Sequence, residues 1–200
     1  MNLAVFASGN GSNLQAIINS CRKGKIAADL KLVFSDRPAA YALTRARRAK
    51  VPSIVSLVPR DFPSREAYDQ ACVELLQREQ IDLVVLAGYM RILSPLFIDA
   101  FRGRIMNIHP SLLPAFKGGH AIEDALAYGV RVTGVTVHFV DEQIDHGPII
   151  AQAPVRILAQ DTRETLAARI HRAEHRLYPQ AVEMFVSGRL KICGRTVIPS

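Results

Sequence analysis

Two hundred residues, with 25 Lys and Arg against 18 Asp and Glu, carry a formal charge of +7. A chain of this length suits one domain and can bury a core large enough to need no disulfide or metal staple. No apolar run approaches the roughly 18 residues of a membrane span, and the apolar start at residues 3–7 is too short for a secretory signal. Cys21, Cys72 and Cys193 are scattered and form no CxxC pair, as expected of reduced thiols in a cytoplasmic protein. The charge favours anionic partners. Much of it lies in Arg45, Arg47, Arg48 and Lys50, and in Arg163, Arg169, Arg172 and Arg176. Such runs first suggest solvated helix faces. No basic stripe interleaved with aromatics and no RNA-binding or zinc-finger motif argues for nucleic acid.

In chain order, residues 2–7 form a buried strand, residues 8–11 a turn, and residues 12–22 a helix with Leu14, Ile17 and Ile18 on one face. A strand at 30–34, a helix at 41–50 and a short strand at 53–57 follow. Ser64 caps a helix reaching about Glu79, with Tyr68, Ala71, Cys72, Leu75 and Leu76 inward. Residues 82–87 are the most continuous apolar strand and the best candidate for the sheet centre. Ser94-Pro95 opens a short helix, and residues 104–109 form another strand. Strand–helix alternation to this point predicts an α/β fold with a doubly wound, mostly parallel sheet.

The remainder has a different pattern. A helix starts at Gly119 or His120 and ends near Gly129. Residues 132–140 alternate around Thr133, Thr136 and His138 like a half-exposed strand, and residues 148–158 supply an antiparallel neighbour. Asp161-Thr162-Arg163-Glu164 suggests a capping box for a long C-terminal helix with Leu166, Ile170, Leu177 and Phe185 inward, which Pro179 should kink or break. Residues 191–198 are a terminal strand or tail. With no repeat, low-complexity tract or linker, the expectation is one domain over 1–200. Its first half, 1–100, would bind the phosphate-bearing substrate, and its second half, 101–200, would carry the chemistry and bind the second substrate.

Two stretches carry chemistry. Ser8-Gly9-Asn10-Gly11-Ser12-Asn13-Leu14 lies between the first strand and the first helix. Glycine permits a sharp turn and close backbone approach to an anion, and a helix N-terminus offers free N–H groups and a positive dipole end. A Walker A loop is excluded because GK[ST] is missing. A dinucleotide fingerprint starts at Gly9-x-Gly11 but meets Leu14 where the third glycine belongs. A plain structural turn is a further reading, and a small phosphate monoester is preferred.

The second stretch, Met106-Asn107-Ile108-His109-Pro110, delivers an amide and an imidazole to one face at a strand end, with proline stopping the strand. The carboxyl edge of an open parallel sheet is where ligands bind. Two donors aimed at one point suit an oxyanion, and a carboxylate from Asp145 would favour the charged imidazole. A lone histidine satisfied in the core is the bland alternative. There is no GxSxG, HExxH or cysteine cluster, so neither a serine nucleophile nor a metal is expected.

These residues bring out a resemblance. Residues 8–14, Leu86-Ala87-Gly88-Tyr89-Met90-Arg91-Ile92-Leu93-Ser94, residues 107–114, His138-Phe139-Val140 through Asp145-x-Gly147-Pro148, and Ala173-Glu174-His175-x-x-Tyr178-Pro179 are similar to the phosphoribosylglycinamide formyltransferases. The likeness spans nearly the whole chain. Its central motifs are shared with other formyl-folate enzymes, and the SGNGSNL loop is the more specific element. The resemblance implies a Rossmann-like formyltransferase fold with an antiparallel C-terminal strand pair and a long C-terminal helix. It also implies formyl transfer from 10-formyltetrahydrofolate to the amine of glycinamide ribonucleotide, without metal, in a monomer or homodimer. On that likeness Asn107 and His109 hold the formyl oxygen, and Asp145 holds and polarises His109 and helps to move the amine proton. Gly11, Ser12 and Asn13 would hold the phosphate, and Glu174 the glycinamide end. Arg65, Met90, Arg91, Ile92, Leu93 and Asn107 would contact the folate.

The chain departs from the pattern at His146, where a small residue is usual. It departs again at Phe116-Lys117-Gly118-Gly119, where a proline is usual. The alternatives are a formyltetrahydrofolate hydrolase or a methionyl-tRNA formyltransferase. Each usually carries an additional domain for which this length is expected to leave no room. A non-catalytic nucleotide-binding module is the remaining alternative, and it leaves Asn107, His109 and Asp145 idle.

Overall fold

The computed structural model describes residues 1–199, the last of them by its backbone alone. The chain divides into two compact units, Met1–Met106 and the segment from Asn107 onward.

In the first unit, β1 (Asn2–Phe6), β2 (Asp29–Ser35), β3 (Ser53–Ser56) and β4 (Leu83–Leu86) lie in the order β3-β2-β1-β4, all parallel. Residues 3–7 and 83–87 are buried, as continuous apolar runs in a parallel sheet require. α1 (Ser12–Arg22) and α2 (Tyr41–Ala49) follow β1 and β2. α3 (Arg65–Arg78) then returns the chain to the far side of β1. Strand order thus reverses between β1 and β4, and that switch point is where an open α/β sheet leaves a crevice at its carboxyl ends. Ser64 caps α3 as expected, its hydroxyl accepting from the Ala67 N–H at 3.1 Å. α2 stops at Ala49 because Lys50 turns left-handed at φ 57°.

β5 (Ile105–His109) crosses the boundary between the units. α4 (Pro95–Ala100) precedes it and α5 (Ala121–Tyr128) follows. In the second unit β6 (Val132–Phe139) pairs antiparallel with β7 (Ile149–Arg156), and α6 (Arg163–Val186) packs on both. The fold is therefore a mostly parallel α/β sheet with an antiparallel C-terminal pair and a long C-terminal helix, the class expected.

Four local expectations are corrected. β6 is not half-exposed: residues 133–139 are all buried. Thr136 is absorbed by partners, donating to the Ser111 carbonyl and accepting from the Leu113 N–H. The capping box of α6 sits one residue later, with Thr162 as the cap and Thr165, not Glu164, as its reciprocal partner. The Asp161 carboxylate is instead held by Arg169 and the Leu158 N–H. Pro179 does not break α6, which runs unbroken from Arg163 to Val186. Proline removes one hydrogen bond, while burial of Tyr178, Pro179, Ala181 and Val182 secures the turns on either side; Leu177 and Phe185 are only half-buried. Finally, the tail is a hairpin, β8 (Leu190–Cys193) and β9 (Thr196–Pro199), joined to β7 at Ile149 and Thr196. Among the described residues no helix is long and apolar enough to cross a membrane.

Candidate active site

The loop after β1 lies at the switch point. Ser8 is tied to the segment after β4 by two bonds: its N–H donates to the Gly88 carbonyl (3.0 Å), and its hydroxyl accepts from the Met90 N–H (2.9 Å). Gly11 caps α1 in the left-handed region at φ 73° and offers no side chain to the first turn. The orphan N–H groups of that turn thus meet no side-chain cap. A Cβ on Gly11 would lie 2.8 Å from the Ala42 Cβ and 2.9 Å from its Cα, so glycine is required there for space as well as for backbone. Arg45 braces the loop from α2, donating to the Asn10 carbonyl and to the Asn10 side-chain oxygen, each at 2.9 Å. Ser12 is half-buried and Asn13 buried at the start of α1.

Arg65, on the first turn of α3, donates to the Leu93 carbonyl at 2.5 Å. The fold thereby brings Arg65 to the end of the segment 90–93. Leu93 is buried, whereas Met90 is 67% and Ile92 58% exposed. Met90 and Ile92 thus leave apolar surface open to solvent in the segment that Arg65 reaches. The Arg91 guanidinium sits 5.1 Å from the centre of the Tyr68 ring, held by attraction to its face.

In the second unit the structure brings together Asn107, His109 and Asp145, and adds His138. His109 is 4% exposed. Its Nδ1 lies 3.3 Å from the Asp145 carboxylate, and its Nε2 donates to the Phe116 carbonyl at 2.7 Å. Acceptors at both nitrogens fix the ring. Phe116 itself has φ 50°, the turn that points its carbonyl at the ring. The His138 Nδ1 donates to the Phe139 carbonyl (2.7 Å), so its Nε2 faces the Asn107 side-chain nitrogen at 3.3 Å and Asp145 at 3.7 Å. Asn107 keeps a second N–H for another acceptor.

Asp145 has φ 46° and accepts from the Gly118 N–H at 2.8 Å. Burial by itself would raise its pKa. The His138 ring, the Gly118 N–H and the His109 charge outweigh burial and hold the carboxyl below the usual carboxylate range. Glu174 is buried in α6. Among the described residues no group of three or more His, Cys, Asp or Glu side chains is arranged to hold a metal ion.

Sequence reasoning missed His138, the Phe116 carbonyl and the Gly118 N–H. His138 was signalled by its place two residues beyond Thr136 on a strand that proved buried. The two backbone groups had no side-chain signal, because they depend on how one loop folds.

An open α/β sheet with a glycine turn at its switch point, and an amide, imidazole and carboxylate gathered at a strand end, define a group-transfer enzyme acting on a carbonyl. The pattern described as "Formyl transferase" matches residues 1–182, and the chain belongs to that family, among its phosphoribosylglycinamide formyltransferases. It is 45% identical over 192 residues to the Phosphoribosylglycinamide formyltransferase of Escherichia coli (strain K12), covering 96% of this chain and 90% of that protein. To the Bacillus subtilis (strain 168) protein of the same name it is 43% identical, covering 92% of this chain and 93% of that one. The crystal structure of glycinamide ribonucleotide transformylase 1 from Symbiobacterium toebii superposes with a TM-score of 0.97 at 51% identity, covering 100% of this chain and 93% of that one.

Proposed function

We propose that this chain transfers the formyl group of 10-formyltetrahydrofolate to the amine of glycinamide ribonucleotide, a step of purine synthesis, with Asn107, His109 and Asp145 carrying the chemistry. The observation that carries the assignment of roles is the approach of His109 to Asp145 at 3.3 Å, with the His138 Nε2 lying 3.3 Å from the Asn107 amide and 3.7 Å from Asp145. The cysteines are free, Cys72 being buried, and no covalent acyl carrier is needed if the amine attacks directly.

The formyl folate supplies an activated one-carbon unit when bound. When the formyl folate binds, the His109 ring would exchange its Phe116 carbonyl partner for the formyl oxygen, so that Nε2–H and the free N–H of Asn107 both donate to that oxygen as negative charge develops on it. A preorganised donor of this kind is worth about 10²–10³ in rate. Asp145 orients His109 and assists loss of the proton from the attacking amine, a role worth about 10²–10⁴. Its lowered pKa keeps it ionised at neutral pH.

Gly11, Ser12 and Asn13 receive the ribonucleotide phosphate at the uncapped start of α1, and Glu174 contacts the glycinamide end. Arg65, Met90, Arg91, Ile92, Leu93 and Asn107 take the folate; the exposed apolar pair Met90 and Ile92 supports that placement. No metal is called for. We place the enzyme in the cytoplasm as a monomer or homodimer acting on small molecules, with no nucleic-acid partner.

An acceptor-swap assay tests this. With 10-formyltetrahydrofolate present, product should form only on addition of glycinamide ribonucleotide. Formate released without an acceptor would replace this reading with a hydrolase, and formylation of charged methionyl-tRNA would replace it with the tRNA enzyme.

A further inference from the structure

Residues 140–148 connect β6 to β7 and carry Asp145 at their tip. The backbone there is held under constraint: Asp145 is left-handed, a conformation that costs a non-glycine residue about 1–3 kcal/mol and persists only when its surroundings impose it. Gly147 is one of those surroundings. It packs against the Phe139 and Asp141 backbone so closely that no Cβ fits. The other is the side chain of His146. Its Nδ1 donates to the Asp141 carboxylate at 2.8 Å, closing the loop on itself. Arg195 Nη1 lies against the same ring, 2.9 Å from Nε2 and 3.2 Å from Nδ1, while Arg195 Nη2 donates to the His146 carbonyl at 2.8 Å.

Arg195 comes from far along the chain but arrives by construction. Gly194 and Arg195 form the two-residue turn between β8 and β9, where Cys193 pairs with Thr196, and Gly194 at φ 59° is the residue such a turn demands. Thr196 pairs with Ile149 of β7, three residues after His146. The hairpin tip is therefore set beside the loop that presents Asp145.

We propose that Asp141, His146 and Arg195 form a clasp in which the C-terminal hairpin holds the Asp145 loop in its working geometry, making all three positioning residues for formyl transfer. This rests on the role assigned to Asp145 above. The groups are partly exposed, so as ion pairs they contribute little to stability. Their effect is geometric: Arg195 grips both the ring and the backbone of the residue next to Asp145. A displacement of about 1 Å at a reacting group can cost about a hundredfold in rate, so partial loosening should be visible in turnover.

The test measures full-length Arg195→Met, His146→Ala, the double variant, His146→Gln and Asp145→Asn for kcat, for KM of glycinamide ribonucleotide, for Tm, and for amide hydrogen exchange over residues 141–147. Arg195→Met and His146→Ala should each lower kcat about tenfold, with KM within about twofold and Tm within about 2 °C. Both should speed exchange in the loop. The double variant should be no worse than the worse single, because both break one clasp. His146→Gln, whose amide can donate to Asp141 and accept from Arg195, should restore most of kcat. If Arg195→Met changes neither kcat nor exchange while Asp145→Asn abolishes turnover, the clasp is refuted. Additive losses or failure of the Gln variant to rescue would also refute it. Normal turnover in Asp145→Asn would instead remove the role of Asp145, and loop exchange in Arg195→Met would then decide the clasp by itself.

Discussion

The glycine loop of the first unit, assigned above to the ribonucleotide phosphate, and the Asn107–His109–His138–Asp145 cluster of the second are built in opposite ways. The loop is contiguous: residues 8–13 follow a strand, turn at Gly11 and start a helix, and the groups proposed to hold phosphate there are mainly backbone N–H groups. Its geometry is set by one left-handed glycine and by Arg45 behind Asn10. The cluster is assembled from β5, β6, the Phe116–Gly118 loop and the Asp145 loop. The groups proposed to work there are side chains, and each is oriented by a partner given no chemistry of its own. A local device fails through its backbone, whereas an assembled one fails through any member.

The largest expected effect is on the cluster. Asp145→Asn and His109→Ala should each lower kcat by about 10³, and Asn107→Ala by about 10², with the KM of glycinamide ribonucleotide changed only a few-fold. Steady-state kinetics at saturating formyl folate check this. Near-normal turnover in the Asp145 or His109 variant would erase the distinction, because the cluster would then be packing and not chemistry.

Gly11→Ala breaks the loop. A left-handed alanine costs about 1–2 kcal/mol, and its Cβ would meet the Ala42 Cα at 2.9 Å, a backbone atom that cannot rotate away. We expect a loss of roughly 2–4 kcal/mol in stability and a KM for the ribonucleotide raised about tenfold or more, as several phosphate hydrogen bonds shift together. kcat should change far less, the reverse of the Asp145 result. Urea unfolding with paired kinetics separates the two, and an unchanged KM would show that the loop does not hold the phosphate.

The same contrast explains what sequence alone revealed. The alternation of apolar runs and helical periodicity located the first unit's elements to within a residue or two, because continuous burial there leaves an unbroken pattern. The loop was readable because its parts are neighbours. Asn107 and His109 could be paired because strand periodicity is local, but that Asp145 meets His109 depends on the antiparallel return of β7 along β6. His138 was concealed because a buried strand carrying Thr136 and His138 imitates one with a wet face. Its hydrogen bonds, not solvent, satisfy those groups. The Arg195–His146 contact spans 49 residues and depends on a hairpin that sequence showed only as a tail. Likewise Pro179 was read by its local rule, and packing on both sides of it overrode that rule.

The smallest effect concerns protons. The Asp145 carboxyl is held below its ordinary value: burial raises it, but His138, Gly118 and His109 lower it further. A carboxyl depressed on folding contributes stability that is fully present above the unfolded pKa of about 3.9 and is lost as pH falls through the lower folded value. The stability difference between the wild type and Asp145→Asn should therefore shift against the wild type as pH falls below about 5. Asp161, paired with Arg169, is also held low and contributes to the same acid limb, but it is present in both proteins and cancels in the difference. Thermal unfolding at pH 7, 5 and 3 makes the comparison. A difference unchanged down to pH 3 would mean that His109, His138 and the Gly118 N–H do not hold Asp145 ionised, and the cluster would lose the electrostatic coupling that sets it apart from the phosphate loop.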